Sequence, residues 1–228
     1  MSDEAAPAGA DAADSSAKPA ATSAVRFDAK WRLFAIVAVV SLIADQATKI
    51  WARSSLPVSP KGCVIPDDIV ARTCGGVVKH VIDGFWDWRL SMNPGSAFGL
   101  FSGNLSLARV FLSIVGIGAV VAMIFMLRKA RADQKILHWA LAFVVGGAIG
   151  NLIDRLYFGV VTDFVLWHYK THEWPVFNVA DIVLVAGVGL MFIDIQKENR
   201  REKAAKQARK DKAQQKAKAK GLVKDLRQ

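Results

Sequence analysis

The chain has 228 residues, 53% of them hydrophobic, and a formal net charge of +10. This combination excludes an ordinary soluble domain and favours an integral membrane protein. Four apolar runs have about the 20 residues that a helix needs to cross roughly 30 Å of hydrocarbon. Because the bilayer gives the backbone no hydrogen-bond partners, each run is predicted to be a transmembrane helix. The four predicted spans cover residues 33–50, 105–127, 136–153 and 179–195.

The region before the first span is polar and small in its side chains. Residues 1–23 are mostly Ala, Ser, Pro, Gly and Asp, so residues 1–30 are predicted to be a disordered tail. Arg26, Lys30 and Arg32 lie beside the first span, and the positive-inside rule therefore places this tail in the cytoplasm. Residues 31–197 are predicted to form a single membrane domain, followed by a cytoplasmic tail of residues 198–228.

Basic residues also mark the other cytoplasmic segments. Arg128, Lys129, Arg131 and Lys135 fill the short connection between the second and third spans. Residues 196–228 contain 13 Lys or Arg against 4 Asp or Glu, and four spans return them to the side of the N-terminus. The tail is predicted to be a solvated basic helix that contacts anionic lipid headgroups. No nucleic-acid partner is predicted, because the tail has no aromatic side chains to stack on bases.

Two longer segments, residues 51–104 and 156–178, are then placed on the periplasmic side. In the first, residues 77–82 and 85–92 alternate in hydrophobicity between turn residues and are predicted to be strands. The same segment holds Cys63 and Cys74, which either form a disulfide in an oxidising compartment or remain free thiols.

The second outer segment contains the β-branched residues that precede Asp163. These residues disfavour a helix, so Asp163 is predicted to lie on an extended stretch near the outer membrane surface. Asp181 is at the outer mouth of the fourth span. The two aspartates are therefore predicted to lie at one depth.

Polar residues follow one face of the third span toward its outer end. Gly147, Gly150, Asn151, Asp154 and Arg155 recur at i, i+3, i+4, i+7 and i+8. This face is either a small-residue packing surface with hydrogen bonds between helices, or a strip that a substrate backbone can approach closely.

The first span repeats the pattern with Asp45, Thr48 and Lys49 at i, i+3 and i+4. Asp45 and Lys49 can pair locally, and Lys49 can also extend outward to the aqueous surface. An ionisable group at mid-membrane costs roughly 2.5 to 3.5 kcal/mol on insertion scales, so several of them together indicate a functional site.

Two aspartates within hydrogen-bond reach cannot both ionise readily. One retains a proton while the other polarises water, so the pair supplies an acid and a base. This chemistry fits aspartic proteolysis without a metal or cofactor. The carboxylates alone also fit a proton-coupled carrier, although the sequence lacks the repeated halves and broken helices typical of carriers.

Other arrangements of reactive residues are less complete. His168 and His172 are four residues apart with no carboxylate between them, so no metal site is predicted. A hydroxyl nucleophile with a lysine base would use Thr48 and Lys49, or a serine such as Ser91 or Ser96, and no pattern fixes that geometry. A non-catalytic membrane assembly factor would tolerate Asn in place of either aspartate.

Five sequence blocks occur in a characteristic order between residues 35 and 195. They read DQATK at 45–49, NPGSAFG at 93–99, GGAIGNLIDR at 146–155, VTDF at 161–164 and FNVAD at 177–181. Together they resemble the blocks of the bacterial lipoprotein signal peptidase family, also called signal peptidase II. The second block departs from the expected pattern at Pro94 and Ser96, and residues 51–79 form a longer loop than expected.

The resemblance implies an all-α integral membrane protein with a four-helix bundle, a small periplasmic β-sheet and a short surface helix. It also implies an inner-membrane aspartic endopeptidase that removes signal peptides from diacylglyceryl-modified prolipoproteins, immediately before the lipidated cysteine. The peptide antibiotic globomycin is expected to occupy the site. A monomer without a cofactor is expected.

The resemblance assigns the catalytic pair to Asp163 and Asp181. Asn178 is three residues before Asp181, on the same helix face, and is able to donate a hydrogen bond to a carboxylate. The positions predicted to bind substrate or support the pair are Asp45, Lys49, Asn93, Gly147, Asn151, Asp154, Arg155, Asn178 and Ala180.

Overall fold

The computed structural model describes residues 29–71, 73–95 and 105–225. Residues 1–28 of the predicted disordered tail and residues 96–99 of the second sequence block lie outside these ranges. The last two residues of that predicted tail, Ala29 and Lys30, instead begin the first helix. Within them, the helices are α1 Ala29–Ser55, α2 Asp67–Val70, α3 Leu105–Lys129, α4 Lys135–Tyr157 and α5 Val179–Asp225. Helices α1, α3, α4 and α5 are long and apolar enough to cross a membrane, which confirms the four predicted spans.

Two helices extend beyond the apolar runs that predicted them. Helix α1 continues five residues past Ile50 to Ser55, and α4 continues to Tyr157. The predicted outer segments therefore begin too early, because the apolar pattern stops before the helical backbone does. Helix α5 is unbroken for 47 residues, so the basic tail continues the fourth span as one helix.

Helix α4 is the central span and packs against α1, α3 and α5. Small residues allow these close contacts: a Cβ on Gly146 would lie 2.8 Å from the carbonyl oxygen of Ala38, and one on Gly147 would lie 2.6 Å from that of Ala180. Large apolar side chains on α1, α3 and α5 remain exposed where lipid would surround the bundle.

The strands form two antiparallel sheets. A four-stranded sheet has the order β3-β4-β5-β6, and a two-stranded sheet pairs β1 with β2. The strand bounds are β1 Val58–Ser59, β2 Gly75–Gly76, β3 Lys79–Ile82, β4 Trp86–Asn93, β5 Val161–Tyr169 and β6 His172–Glu173. The two predicted strands of the first outer segment are thus confirmed as β3 and β4.

The six strands of the described residues belong to the α1–α3 and α4–α5 connections. Because successive spans reverse direction, these two connections lie on one side of the bundle, which we call the sheet side. The α3–α4 loop and the end of α5 lie on the other side, which we call the loop side. On the loop side, Arg131 donates to Glu198 at 2.7 Å and Arg201 donates to Asp133 at 2.9 Å, which joins the loop to α5.

An apolar core attaches the sheet to the end of α1. Ala52 and Leu56 pack with Leu90, Phe164 and Val165 of β4 and β5. The 57–78 loop covers part of this core, with Ile65, Ile69 and Val70 against it. Cys63 and Cys74 are joined as a disulfide with their Cα atoms 6.2 Å apart, and α2, the short surface helix, lies between them.

Candidate active site

Asp181 and Asn178 form a capping box at the start of α5. The backbone N–H of Asp181 donates to Asn178 Oδ1 at 3.0 Å, and the backbone N–H of Asn178 donates to Asp181 Oδ2 at 3.2 Å. This reciprocal arrangement satisfies two of the free N–H groups at a helix N-terminus. The side chain of Asp181 is thereby fixed at the sheet-side mouth of the fourth span.

Asp163 lies on β5, as predicted, and is almost completely buried. Its two carboxylate oxygens accept amide hydrogen bonds from two different elements. Asn93, at the end of β4, donates to Oδ2 at 2.9 Å, and Asn178 donates to Oδ1 at 2.6 Å. Strand pairing accounts for the first contact, because the β4–β5 register places Ser91 opposite Asp163 and Asn93 opposite Val161.

The surroundings of Asp163 disfavour its charged form. Burial, and secondly the charge of Asp181, raise the pKa of Asp163 to about 7, whereas the amides of Asn93 and Asn178 act in the opposite direction. Near pH 7, the Asp163 carboxyl group is thus available in its protonated form as a proton donor beside the Asp181 carboxylate.

Asn178 and Asn151 join the two aspartates into one site. Asn178 contacts both of them, through its Nδ2 atom to Asp163 and through the capping box to Asp181. Asn151 of α4 donates to Asp181 Oδ1 at 3.0 Å and accepts a hydrogen bond from Asn178 at 3.2 Å. Four protein segments therefore meet at this point: the end of β4, the start of β5, the polar face of α4 and the start of α5.

Lys49 is fully buried and does not reach the aqueous surface, so the predicted outward extension is wrong. It donates to Asn151 Oδ1 at 2.8 Å and forms an ion pair with Asp45 Oδ2 at 2.9 Å. The local pairing of Asp45 with Lys49 is as predicted. The lysine is held inside the bundle because two carboxylates and an amide compensate its charge there.

Asp45 also connects α1 to the start of α5. Its Oδ1 atom accepts the backbone N–H of Ala180 at 2.8 Å. Gly150 leaves room for this carboxylate, since a Cβ at Gly150 would collide with Asp45 Oδ2. Gly147 similarly allows the Ala180 backbone to approach α4. These positions hold the helix that carries Asp181.

Asp154 and Arg155 have separate surroundings although they are adjacent. Asp154 is fully buried, accepts the backbone N–H of Thr162 at 2.8 Å and lies 3.5 Å from Lys49 Nζ. Arg155 is half-buried, and its charge interacts with Asp181 and Asp163. Asp154 thus anchors the start of β5, whereas Arg155 interacts electrostatically with the aspartate pair.

The other predicted arrangements are not brought together. Thr48 donates back to the carbonyl oxygens of Ala44 and Asp45, so its hydroxyl is not aimed at Lys49. His168 lies 2.8 Å from Asp87, which also contacts His80 at 2.8 Å. Across residues 29–71, 73–95 and 105–225, no three His, Cys, Asp or Glu side chains form a metal-binding group.

Arg53 and Thr162 contact the site but are absent from the predicted set. Arg53 Nη1 donates to Thr162 Oγ1 at 2.7 Å, and Thr162 directly precedes Asp163. The signal was present, because Asp45, Lys49 and Arg53 recur at i, i+4 and i+8 on one helix face. It was missed because the predicted span ended at Ile50.

These features define a multi-pass membrane protein with a carboxylate pair at one end of its helix bundle. A family model described as "Signal peptidase (SPase) II" matches residues 37–197. The lipoprotein signal peptidase of Geobacter metallireducens is 36% identical over 172 residues, covering 75% of this chain and 95% of that protein. That of Rhodopseudomonas palustris is 35% identical over 167 residues, covering 72% and 91%. The chain therefore belongs to the signal peptidase II family.

Solved structures agree with this assignment. A bacterial membrane enzyme determined by the in meso method has 26% sequence identity and a TM-score of 0.59, with 73% of this chain and 88% of that chain covered. A second such structure has 28% identity and a TM-score of 0.53, with 71% and 91% covered. The matched region agrees with the predicted extent of the resemblance, and the carrier alternative finds no support.

Proposed function

We propose that this protein is a membrane aspartic endopeptidase that removes signal peptides from diacylglyceryl-modified prolipoproteins, cutting immediately before the lipidated cysteine. Asp163 and Asp181 are its proposed catalytic pair. The observation that carries this proposal is the double contact of Asn178 with both aspartates, within a chain of the signal peptidase II family.

The two aspartates have different roles in the proposed reaction. Below about pH 7 Asp163 holds a proton, because burial and the charge of Asp181 raise its pKa to about 7. Asp181, whose carboxylate accepts hydrogen bonds from Asn151 and the Asn178 backbone, serves as the base. This division of roles follows the environments of the two groups.

The bond changes then follow in order. Asp181 takes a proton from water as the water oxygen adds to the peptide carbonyl carbon, and Asp163 donates its proton to the carbonyl oxygen. The tetrahedral intermediate returns a proton from its hydroxyl to Asp163. The carbon–nitrogen bond breaks as the proton held by Asp181 passes to the leaving nitrogen of the lipidated cysteine. Both carboxyl groups regain their starting states without a metal or cofactor.

The residues around the pair are proposed to bind the substrate or to hold the pair in place. Arg155 and Asn93 border the aspartates and are proposed to contact the peptide backbone. Five further residues are proposed to position strand β5 and helix α5, which carry the pair: Asp45, Lys49, Asn151, Asp154 and Asn178. Gly147 and Ala180 keep α4 and α5 close. Globomycin is proposed to bind at the same place, and the enzyme is proposed to act as a monomer.

We place the protein in the bacterial inner membrane with its sheet side in the periplasm and both termini in the cytoplasm. The basic residues of the α3–α4 loop and of α5 beyond Gln196 support this orientation by the positive-inside rule. The Cys63–Cys74 disulfide on the sheet side fits an oxidising compartment.

The start of the tail is proposed to contact anionic lipid headgroups. Lys197 and Arg200 are exposed and directly follow the exposed apolar residues Phe192, Ile193 and Ile195 on α5. Apolar side chains beside lipid tails, followed by exposed cations, fit an anionic phospholipid at the membrane surface.

The proposed activity is tested with a purified prolipoprotein in lipidated and unlipidated forms. The expected product of the lipidated form has the diacylglyceryl cysteine as its first residue, as determined by mass spectrometry. Globomycin is expected to block its appearance. Cleavage at another bond, or equal cleavage of the unlipidated form, would contradict the proposed substrate.

A further inference from the structure

Arg53 makes three contacts at the sheet-side end of α1. Its Nη1 atom donates to Thr162 Oγ1 at 2.7 Å and lies 3.6 Å from Asp154 Oδ1. Its guanidinium group lies 4.5 Å from the centre of the Phe158 ring. Only 15% of the Arg53 side chain is exposed. The arginine therefore connects α1, the end of α4 and the start of β5.

Thr162 is held by hydrogen bonds through its hydroxyl and its backbone N–H. Its hydroxyl accepts the hydrogen bond from Arg53, and its backbone N–H donates to Asp154 Oδ2 at 2.8 Å. Thr162 itself is completely buried. Because it is bonded covalently to Asp163, a fixed Thr162 limits where the Asp163 carboxyl group can lie.

Arg53 also compensates the buried charge of Asp154. Within the part of the chain that the structure describes, no group donates a hydrogen bond to Asp154 Oδ1. The nearest positive charge to that oxygen is Arg53 Nη1 at 3.6 Å, while Lys49 approaches the other oxygen at 3.5 Å. Removing Arg53 would leave Asp154 Oδ1 without its nearest positive charge, so the carboxylate that holds the start of β5 would be less well fixed.

We propose that Arg53 is a positioning residue for catalysis, acting through Thr162 to fix Asp163 in the strand. The inference rests on the proposed function, in which Asp163 reacts with substrate. A misplacement of a reacting group by about 1 Å can cost roughly 100-fold in rate, so the effect is expected in kcat. Substrate affinity is expected to be retained, since the Arg53 side chain is mostly buried and contacts Thr162 and Asp154.

The test compares kcat and KM for cleavage of a lipidated prolipoprotein by the full-length enzyme. Arg53→Gln is expected to lower kcat about 10- to 100-fold with KM within about twofold. Thr162→Val should do the same, whereas Thr162→Ser, which keeps the hydroxyl, should stay within about threefold of wild type. The double variant with Arg53→Gln and Thr162→Val should be no worse than the poorer single variant, because both changes remove the same Arg53–Thr162 hydrogen bond.

Arg89→Gln is the matched control. Arg89 is also an arginine on the sheet side, but its guanidinium group pairs with Glu173 of β6 at 3.1 Å. The Arg89→Gln variant should keep kcat within about twofold of wild type. If Arg53→Gln does not fold, the comparison of Thr162→Val with Thr162→Ser decides the question.

Three results would each overturn the inference. They are a kcat of Arg53→Gln within twofold of wild type, additive losses of kcat in the double variant, and equal losses of kcat in Thr162→Val and Thr162→Ser. Asp163→Asn is measured in parallel. An active Asp163→Asn enzyme would refute the proposed function itself. An inactive Asp163→Asn enzyme together with a normal Arg53→Gln enzyme would refute only the positioning role.

Discussion

Asp163 and Asp181 occupy one site, but the local environment of Asp181 is easier to predict from the sequence than that of Asp163. The three-residue spacing of Asn178 and Asp181 at the start of an apolar run matches a helix N-terminus, and the structure has the capping box there. The contact between Asn93 and Asp163 depends on the register of β4 with β5. Sequence spacing alone does not fix a register between strands 70 residues apart.

Lys49 illustrates where residue-level prediction failed. A lysine near a helix end commonly extends to water, and its burial here depends on Asn151, 102 residues further along the chain. A buried lysine becomes predictable only when the partners that compensate its charge are known. The local ion pair with Asp45 was predictable because it lies within one helical turn.

The pH dependence of cleavage should report the protonation state of Asp163. Since the protonated group is the proposed acid and its pKa is raised to about 7, kcat should fall as pH rises through about 7. The amide of Asn93 favours the ionised carboxylate, so Asn93→Ala should move this fall to higher pH by about 0.5 to 1 unit. Rate profiles from pH 5 to pH 9 measure both effects.

Asn199→Ala provides the control for that profile. Asn199 lies on the exposed, loop-side part of α5, so its loss should leave the profile unchanged. A shift of the Asn93→Ala profile to lower pH would show that Asp163 is not the group that titrates.

Among the helices and strands, the four spans and strands β3 and β4 were predictable from hydrophobic patterns. The ends of α1 and α4 were not, because their last turns lie outside the apolar runs. In α1 these turns are stabilised by tertiary contacts: Ala52 is buried against the sheet and Arg53 binds Thr162. Helix ends of this kind depend on the sheet, which the apolar pattern of the span does not reveal.

The close packing of α4 with α5 should be necessary for activity. A Cβ at Gly147 would lie 2.6 Å from Ala180 O and 2.8 Å from Leu184 Cγ. Gly147→Val should therefore separate the helices, lower activity at least about 10-fold and destabilise the enzyme by about 1 to 3 kcal/mol. Cleavage rates and thermal unfolding in detergent measure these effects.

Gly189→Val is the matched control on the same pair of spans. A Cβ at Gly189 meets no atom within 4 Å, so this variant should keep activity within about twofold. Equal activity of the two valine variants would show that the approach of α4 to α5 does not align the aspartates.

At the scale of the whole molecule, the unbroken α5 helix changes the expectation for the tail. At about 1.5 Å per residue, the tail extends roughly 40 Å beyond Lys197 along the direction of the fourth span. Charges separated by more than about 8 Å are largely screened at physiological salt. Only the first few cations of the tail therefore lie close enough to the membrane to select anionic lipids.

Lipid binding should accordingly depend on position within the tail. In nanodiscs that contain phosphatidylglycerol and phosphatidylcholine, replacing Lys197 and Arg200 by Gln should reduce retained phosphatidylglycerol by about half, as counted by native mass spectrometry. Replacing Lys210 and Lys212 by Gln removes the same charge further along α5 and should have little effect. Equal losses in both double variants would show that the tail bends back onto the membrane.

If Asp163 and Asp181 together cleave the peptide bond, turnover of a lipidated prolipoprotein should be lost in both the Asp163→Asn and the Asp181→Asn variant. Asp194→Asn is the matched control, since Asp194 is a buried aspartate of α5 that binds Gln134 on the loop side. Both variants of the catalytic pair should lose about 1,000-fold or more in kcat, whereas Asp194→Asn and chelator-treated wild type should remain active. Retained turnover in either Asp163→Asn or Asp181→Asn would show that the two aspartates are not the catalytic pair. Loss of wild-type activity on chelation would show that the reaction needs a metal.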